Sequence, residues 1–263
     1  MHKQNPKPRS PINDPVLRYA GDSTHMLAIE QLAPIMVSIF ALTFAVAMVI
    51  NFLLSHFFGI SPDALKTLSF AVPLIGLSIY FMISSVSRLD DFLLGMRGER
   101  AVAESLSELG LAGYRILHDI EINHPKGKSN IDHVLIGPEG VFVLETKTLR
   151  KHPRKSHQIE HDGDSVFVNE VKLPRSPIPQ ARAAADTIRK QLGTFASSCP
   201  IKPVVLFPGW FVKDGYQGET WVLNPNALVT RLKSPKSPRL TEQRRDEIYH
   251  LLSQIQRVQS LRE

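Results

Sequence analysis

The sequence predicts an α/β fold, a mixed β-sheet flanked by helices, set behind a two-helix hairpin that crosses a membrane. Three observations predict it. Between Glu30 and Asp63 there is no Asp, Glu, Lys or Arg, and a second uncharged run covers residues 67–87. From residue 91 onward, segments with helical spacing of apolar residues alternate with short β-branched or aromatic runs bounded by turn residues. An order of helix, three strands, further strand, helix, strand and helix is that of an α/β sandwich with a mixed sheet.

The first apolar run, residues 34–54 (PIMVSIFALTFAVAMVINFLL), and the second, residues 67–87 (TLSFAVPLIGLSIYFMISSVS), each supply roughly the 20 residues that a ~30 Å hydrocarbon core requires. Core helices of a soluble protein keep a polar face, and these keep none. Pro73 is tolerated within a spanning helix. A polar segment of some thirty residues precedes the first run, which is not the layout of a cleaved signal peptide. Lys3, Lys7, Arg9 and Arg18 stand before the first run and Arg88, Arg97 and Arg100 after the second, whereas the connecting residues 55–66 carry only Lys66. Basic residues close to spans stay inside, so both termini are expected to be cytoplasmic and the protein to lie in the cell (inner) membrane. The single cysteine, Cys199, excludes an internal disulfide and agrees with a reducing compartment.

The expected organisation is a cytoplasmic tail over residues 1–32, the hairpin over 33–88, a globular domain over 89–232, and a linker with a C-terminal amphipathic helix over 233–263. A helix is predicted over 91–109, where Leu94, Val102, Leu106 and Leu109 recur at near-helical spacing and Gly110 marks the end. Strands are predicted over 115–122 (RILHDIEI), 130–136 (NIDHVLI) and 141–147 (VFVLETK), with Gly137-Pro138-Glu139-Gly140 turning the last two into an antiparallel hairpin. One further strand is expected over 165–173. Residues 177–192 suit an amphipathic helix covering the sheet, 202–207 (KPVVLF) a buried strand, and 220–223 a weaker strand. Residues 232–239 (LKSPKSPR) read as a linker. Ile248, Leu251, Leu252, Ile255 and Val258 form one stripe of a helix over 240–261.

From Arg88 onward 26 Lys and Arg stand against 21 Asp and Glu, a net charge near +5, which favours a polyanion or an anionic membrane surface as neighbour. His118, His124, His133 and His161 lack zinc spacing and there is no cysteine pair, so no structural zinc is expected.

The residues that carry chemistry are Asp132 and, thirteen positions later, Glu145 and Lys147. Spacing of two along a strand sets Glu145 and Lys147 on one face. Two carboxylates meeting across a hairpin suit Mg²⁺, which takes one or two carboxylates with waters and phosphate oxygens. A neighbouring lysine can orient or deprotonate the attacking water and offset phosphate charge. Whether the acids meet depends on register. A two-residue loop of Pro138 and Glu139 pairs Gly137 with Gly140 and puts Asp132 opposite Glu145, ~5 Å apart at Cβ. A type I turn with Gly140 in a bulge, which turn chemistry favours, shifts the parity and turns Asp132 away. The apolar pattern does not arbitrate, because both faces are largely apolar. On residue types alone, a solvated strand-end pair of Glu145 and Lys147 is the simpler account.

The stretches Gly98-Glu99-x-x-Val102, Ile131-Asp132-His133-Val134, Gly137-Pro138-x-Gly140-Val141-Phe142-Val143, Glu145-Thr146-Lys147 and Pro179-Gln180-Ala181 resemble the nuclease-related (NERD) family over residues 97–207. That family is similar to the PD-(D/E)xK nucleases of restriction-endonuclease-like fold. The resemblance implies Asp132 and Glu145 as ligands of Mg²⁺ or Mn²⁺, Lys147 at the attacking water, Glu99 as the acid of the first helix, and Gln180 as a polar residue beside the site. Glu104 is a second helix candidate, and an ordinary first-turn acid favoured by the macrodipole is the plainer account of Glu99. Where the family continues with a short polar turn containing Gly, residues 148–158 read TLRKHPRKSHQ. Arg150, Lys151, Arg154 and Lys155 are the candidate phosphate contacts. The implied function is a membrane-anchored, Mg²⁺-dependent phosphodiesterase acting on nucleic acid, DNA or RNA. The alternative is a non-catalytic module of the same fold that binds nucleic acid or protein.

Overall fold

A computed structural model describes residues 18–59, 63–124, 127–153, 157–213, 215, 218–234 and 237–260. By internal contacts the chain divides into two units, one of residues 21–98 and the other of residues 1–20 with 99–263.

The first unit holds helices α1 (Asp22–Glu30) and α2 (Leu32–Phe57) and the first part of α3 (Ala64–Leu111). Among the described residues two helices are long and apolar enough to cross a membrane, with mean hydropathies of 2.4 and 1.8 over their most apolar windows. Only 11% and 17% of those windows are buried, and Phe40, Phe44, Phe70, Val72 and Ile83 are exposed. The buried positions are small: Ser38 and Ala45 on α2, Ala71, Ser78 and Ser85 on α3. Ser38 and Ser78 return their hydroxyls to the carbonyls of Pro34 and Leu74 at 2.7 Å, so neither is an unsatisfied polar group.

The helix expected over 91–109 is not separate from the second apolar run. Both lie in the single 48-residue α3, because nothing between Ser87 and Asp91 is a Gly or Pro that would stop the backbone ladder. Glu99 therefore stands deep in a helix rather than in a first turn, and the macrodipole does not explain it. The helix closes one residue past Gly110.

In the second unit, β1 (Arg115–His124), β2 (Gly127–Gly137) and β3 (Gly140–Thr146) form an antiparallel meander. The order of the main sheet is completed by two parallel strands, β7 (Ile201–Leu206) beside β3 and β9 (Trp221–Leu223) beside β7. A second, four-stranded sheet holds β4 (Gln158–His161), β5 (Val166–Val168), β6 (Val171–Lys172) and β8 (Phe211–Val212) in the order β6-β5-β4-β8. Each sheet mixes parallel with antiparallel pairs, as the predicted fold class requires.

Both faces of the main sheet are covered. Val102, Leu106 and Leu109 of α3 and Leu228 and Leu232 of α5 (Pro225–Leu232) pack on Leu135, Phe142 and Leu144. On the other face, Ala185, Ile188 and Leu192 of α4 (Ile178–Leu192) and Ile248 and Leu252 of α6 (Glu242–Ser260) pack on Val134, Ile136, Val141 and Val143. The alternation of β3 thus feeds two cores, which is why its hydrophobic pattern named no solvent face.

The single strand expected over 165–173 is a hairpin, β5 and β6. Asn169 and Glu170 at its tip take φ of 49° and 69°, the two successive left-handed residues of a type I′ turn. β4 and α5 were not anticipated. α5 shortens the expected linker from its N-terminal side, since Asn224 caps it by accepting the Ala227 N–H at 2.8 Å and Pro225 opens its first turn.

Candidate active site

The β2–β3 turn has the two-residue form. Gly137 pairs with Gly140, and the register continues through His133 opposite Leu144, which carries Asp132 opposite Glu145. The preference for a bulge is overridden by what surrounds the two glycines. A Cβ on Gly140 would stand 2.3 Å from the Pro200 carbonyl oxygen, and one on Gly137 would stand 1.9 Å from the Tyr114 ring. The Val141 N–H donates to that same Pro200 oxygen at 2.8 Å, so neighbouring backbone fixes the start of β3.

At the far end of the hairpin the ladder is finished by a side chain. The Thr146 N–H donates to Asp132 Oδ2 at 2.6 Å, and the next amide, Lys147 N–H, donates to the Leu206 carbonyl at 2.8 Å. Asp132 and Glu145 lie on the sheet face covered by α4. From α4, the exposed Gln180 hydrogen-bonds the Glu145 carboxylate.

Three carboxyl groups sense one another here. Burial, then the charges of Glu145 and Glu99, push the Asp132 carboxyl well above the usual range, and the Thr146 N–H works against them. Burial pushes Glu145 up to about 7, with Glu99 adding to the rise and Lys147, Arg175 and the Gln180 hydrogen bond opposing it. Glu145 and Glu99 are buried while Lys147 is exposed, the arrangement of an acid cluster with a cation at its rim. A buried set of acids that resists ionisation is a set of hard oxygen donors short of positive charge, which is the chemistry that fits Mg²⁺ or Mn²⁺. Among the described residues no three His, Cys, Asp or Glu side chains form a ready-made cage. Two carboxylates leave the other positions of a Mg²⁺-type site to water and substrate oxygens.

The remaining candidates fall as follows. Glu104 is exposed on α3. Arg150 and Lys151 are exposed beyond β3, with Lys151 Nζ 5.8 Å from the centroid of the Trp210 ring. Arg154 and Lys155 lie outside the described residues. His118 and His133 face each other across β1 and β2, Nδ1 to Nδ1 at 2.8 Å, and burial lowers the proton affinity of both. His133 belongs to the sheet face opposite Asp132, by strand alternation.

Three residues near the cluster were missed. Asp119, opposite Asp132 on β1, is buried, takes φ of 50° and adds to the field that raises the Asp132 carboxyl. Its signal was faint, because β1 (RILHDIEINH) also carries His118, Glu121 and Asn123, among which one more carboxylate does not stand out. Arg18 reaches Glu121 at 3.3 Å and Asp119 at 3.7 Å, a contact across more than a hundred residues that no local pattern announces. Arg175, which lowers Glu145, sits in the turn before α4, where a lone Arg looks like any solvated charge.

Residues 94–208 match the family model described as nuclease-related domain. An uncharacterized protein of Bacillus anthracis is 27% identical over an alignment of 168 positions that covers 60% of this chain and 74% of that protein. No solved structure matches the chain.

Proposed function

We propose that this chain, which carries a nuclease-related domain over residues 94–208, is a membrane-anchored, divalent-metal-dependent phosphodiesterase that hydrolyses nucleic acid at the Asp132–Glu145–Lys147 cluster. The observation that carries the reading is the convergence of Asp132 and Glu145 on one face of the hairpin, with Glu99 sharing their field and Lys147 one residue past the end of β3.

Asp132 and Glu145 would hold the cation, which lowers the pKa of a bound water and stabilises charge on the phosphoryl oxygens. The chain's own residues do the rest. Gln180 and the Thr146 N–H hold the two carboxylates in place. Lys147, exposed at the rim, offsets phosphate charge and orients or deprotonates the attacking water. Arg150 and Lys151 extend positive charge along the phosphate backbone. In this reading the two apolar helices anchor the domain, and the excess of basic residues flanking them supports a cytoplasmic side for it.

The test uses the full chain in detergent with single- and double-stranded DNA and RNA. Cleavage is expected with Mg²⁺ or Mn²⁺ and not with chelator. Lys147→Ala, Asp132→Asn and Glu145→Gln are each expected to lower it at least 100-fold, the scale of losing a catalytic group, while metal-free binding stays near wild type. No cleavage of any of the four substrates would leave the binding module of the same fold as the account.

A further inference from the structure

At the same edge of the main sheet as the carboxyl cluster, on the α3–α5 side, lies a cleft of about 390 Å³, formed by α3 at Ala101 and Ser105, by the β7–β8 turn, and by the start of α5. Its chemistry differs from that of the cluster. Trp210 and Phe211 supply aromatic surface and Asn224 and Asn226 supply amides, and no acidic side chain lines it among the described residues. We propose that this cleft binds one unpaired nucleotide of a single-stranded nucleic acid, so that the substrate is single-stranded or locally unwound; the inference rests on the phosphodiesterase reading.

Position is the first argument. Ala101 and Ser105 follow Glu99 by two and six residues on one helix, on a side of it turned away from Glu99, so it is the strands that relate cleft to cluster. On the strand side, β7 runs parallel to β3 with Val205 beside Glu145, and the chain enters the cleft two residues after Leu206. Cluster and cleft thus share the edge of the main sheet at which the parallel strands β3, β7 and β9 end, and a nucleic-acid strand crossing that edge passes both.

Surface chemistry is the second. Phe211 is 64% exposed, an aromatic face that folding leaves in water. Bases stack on such faces without regard to sequence, and the edges of a base, presented in full only when it is unpaired, match amide donors and acceptors such as those of the exposed Asn226. Trp210 is nearly buried, and its indole N–H meets no acceptor among the described residues. The room is that of a small-ligand site, and a duplex does not fit it.

Charge is the third. Lys151 Nζ lies over the Trp210 ring and 3.8 Å from where a Cβ on Gly209 would stand. A cation thus stands at the aromatic wall, between the cluster and the cleft in chain order. An aromatic platform with a cation alongside is the pattern that single-strand binders use to hold base and phosphate together.

The experiment uses the full chain in zwitterionic nanodiscs, with chelator present, and a short oligonucleotide carrying 2-aminopurine, either single-stranded or annealed. The single strand is expected to bind with quenching of the 2-aminopurine. Phe211→Ala should weaken it roughly 5- to 150-fold, the range measured for losing one stacked base, Phe211→Trp should retain it, and duplex binding should stay within about twofold. An unchanged thermal transition followed by tryptophan fluorescence confirms that the Ala variant is folded. Wild-type binding by Phe211→Ala, equal loss for single strand and duplex, or no binding of either would overturn the proposal. Phe211-dependent binding without any metal-dependent cleavage would sink the phosphodiesterase and leave the cleft; cleavage indifferent to Phe211→Ala would do the reverse.

Discussion

Glu145 is the residue at which fold and chemistry compete. Its carboxyl, ordinarily near 4.5, is pushed up to about 7 by burial among like charges. A group with a raised folded-state pKa stabilises the fold fully below its unfolded value, and that contribution is lost as pH rises through the folded value. The metal-free protein should therefore lose stability between about pH 4.5 and pH 7, with Asp132 acting in the same direction. A tenfold change in proton affinity is worth about 1.4 kcal/mol, so Glu145→Gln should stabilise the metal-free chain by roughly 3 kcal/mol at pH 8 and flatten its pH profile. Chemical unfolding followed through Trp210 and Trp221 at pH 5 and pH 8 measures it, and a wild-type profile flat across that window would refute it. The sequence carried the identities of Asp132, Glu145 and Lys147 through motif alone. Asp119, Arg18 and Arg175 stayed hidden because their roles come from contacts across the fold, not from spacing.

The hairpin of β2 and β3 decides whether those identities become a site, and its register is set by packing against elements far away in the chain. Tyr114 donates its hydroxyl to the Leu232 carbonyl at 2.8 Å, which holds its ring over Gly137, and burial pushes the phenol up to about 12. Gly137→Ala should force the ring or the turn aside and destabilise the protein by about 1–3 kcal/mol, read as a lower midpoint in the same tryptophan-monitored unfolding. A midpoint equal to wild type would show that the ring is free to give. Sequence left two registers open because local turn statistics and the apolar pattern were the only evidence, and neither includes Tyr114 or Pro200. Element identity was easier to read: β1, β2, β3, α4 and α6 were visible from residue spacing and bounding turns, β7 as an unbroken apolar run and β9 as a weaker strand. The short β4, the β5–β6 tip and the eight-residue α5 were not, since each holds too few residues for a period to emerge.

For the whole molecule, the apolar surface of α2 and the first part of α3 is far larger than the scattered patches a soluble monomer exposes. That surface was legible from composition, because a membrane span is the one element that length and hydropathy define without tertiary context. The continuity of α3 was not legible, because a change from apolar to charged composition looks like a boundary although the helical backbone has no reason to break there. With both ends inside, protease added outside intact spheroplasts should spare an epitope placed after Glu263, and its digestion would reverse the orientation. Everything else depends on the carboxyl cluster being a cation site, and calorimetric titration of Mn²⁺ into the metal-free full chain at pH 6 tests that most directly. The account predicts binding that releases protons, seen as a buffer-dependent heat, because Glu145, pushed up to about 7, holds a proton at that pH and the Asp132 carboxyl is shifted in the same direction, and that is abolished in Asp132→Asn and Glu145→Gln. Binding of equal strength in those variants, or none in the wild type, would contradict it.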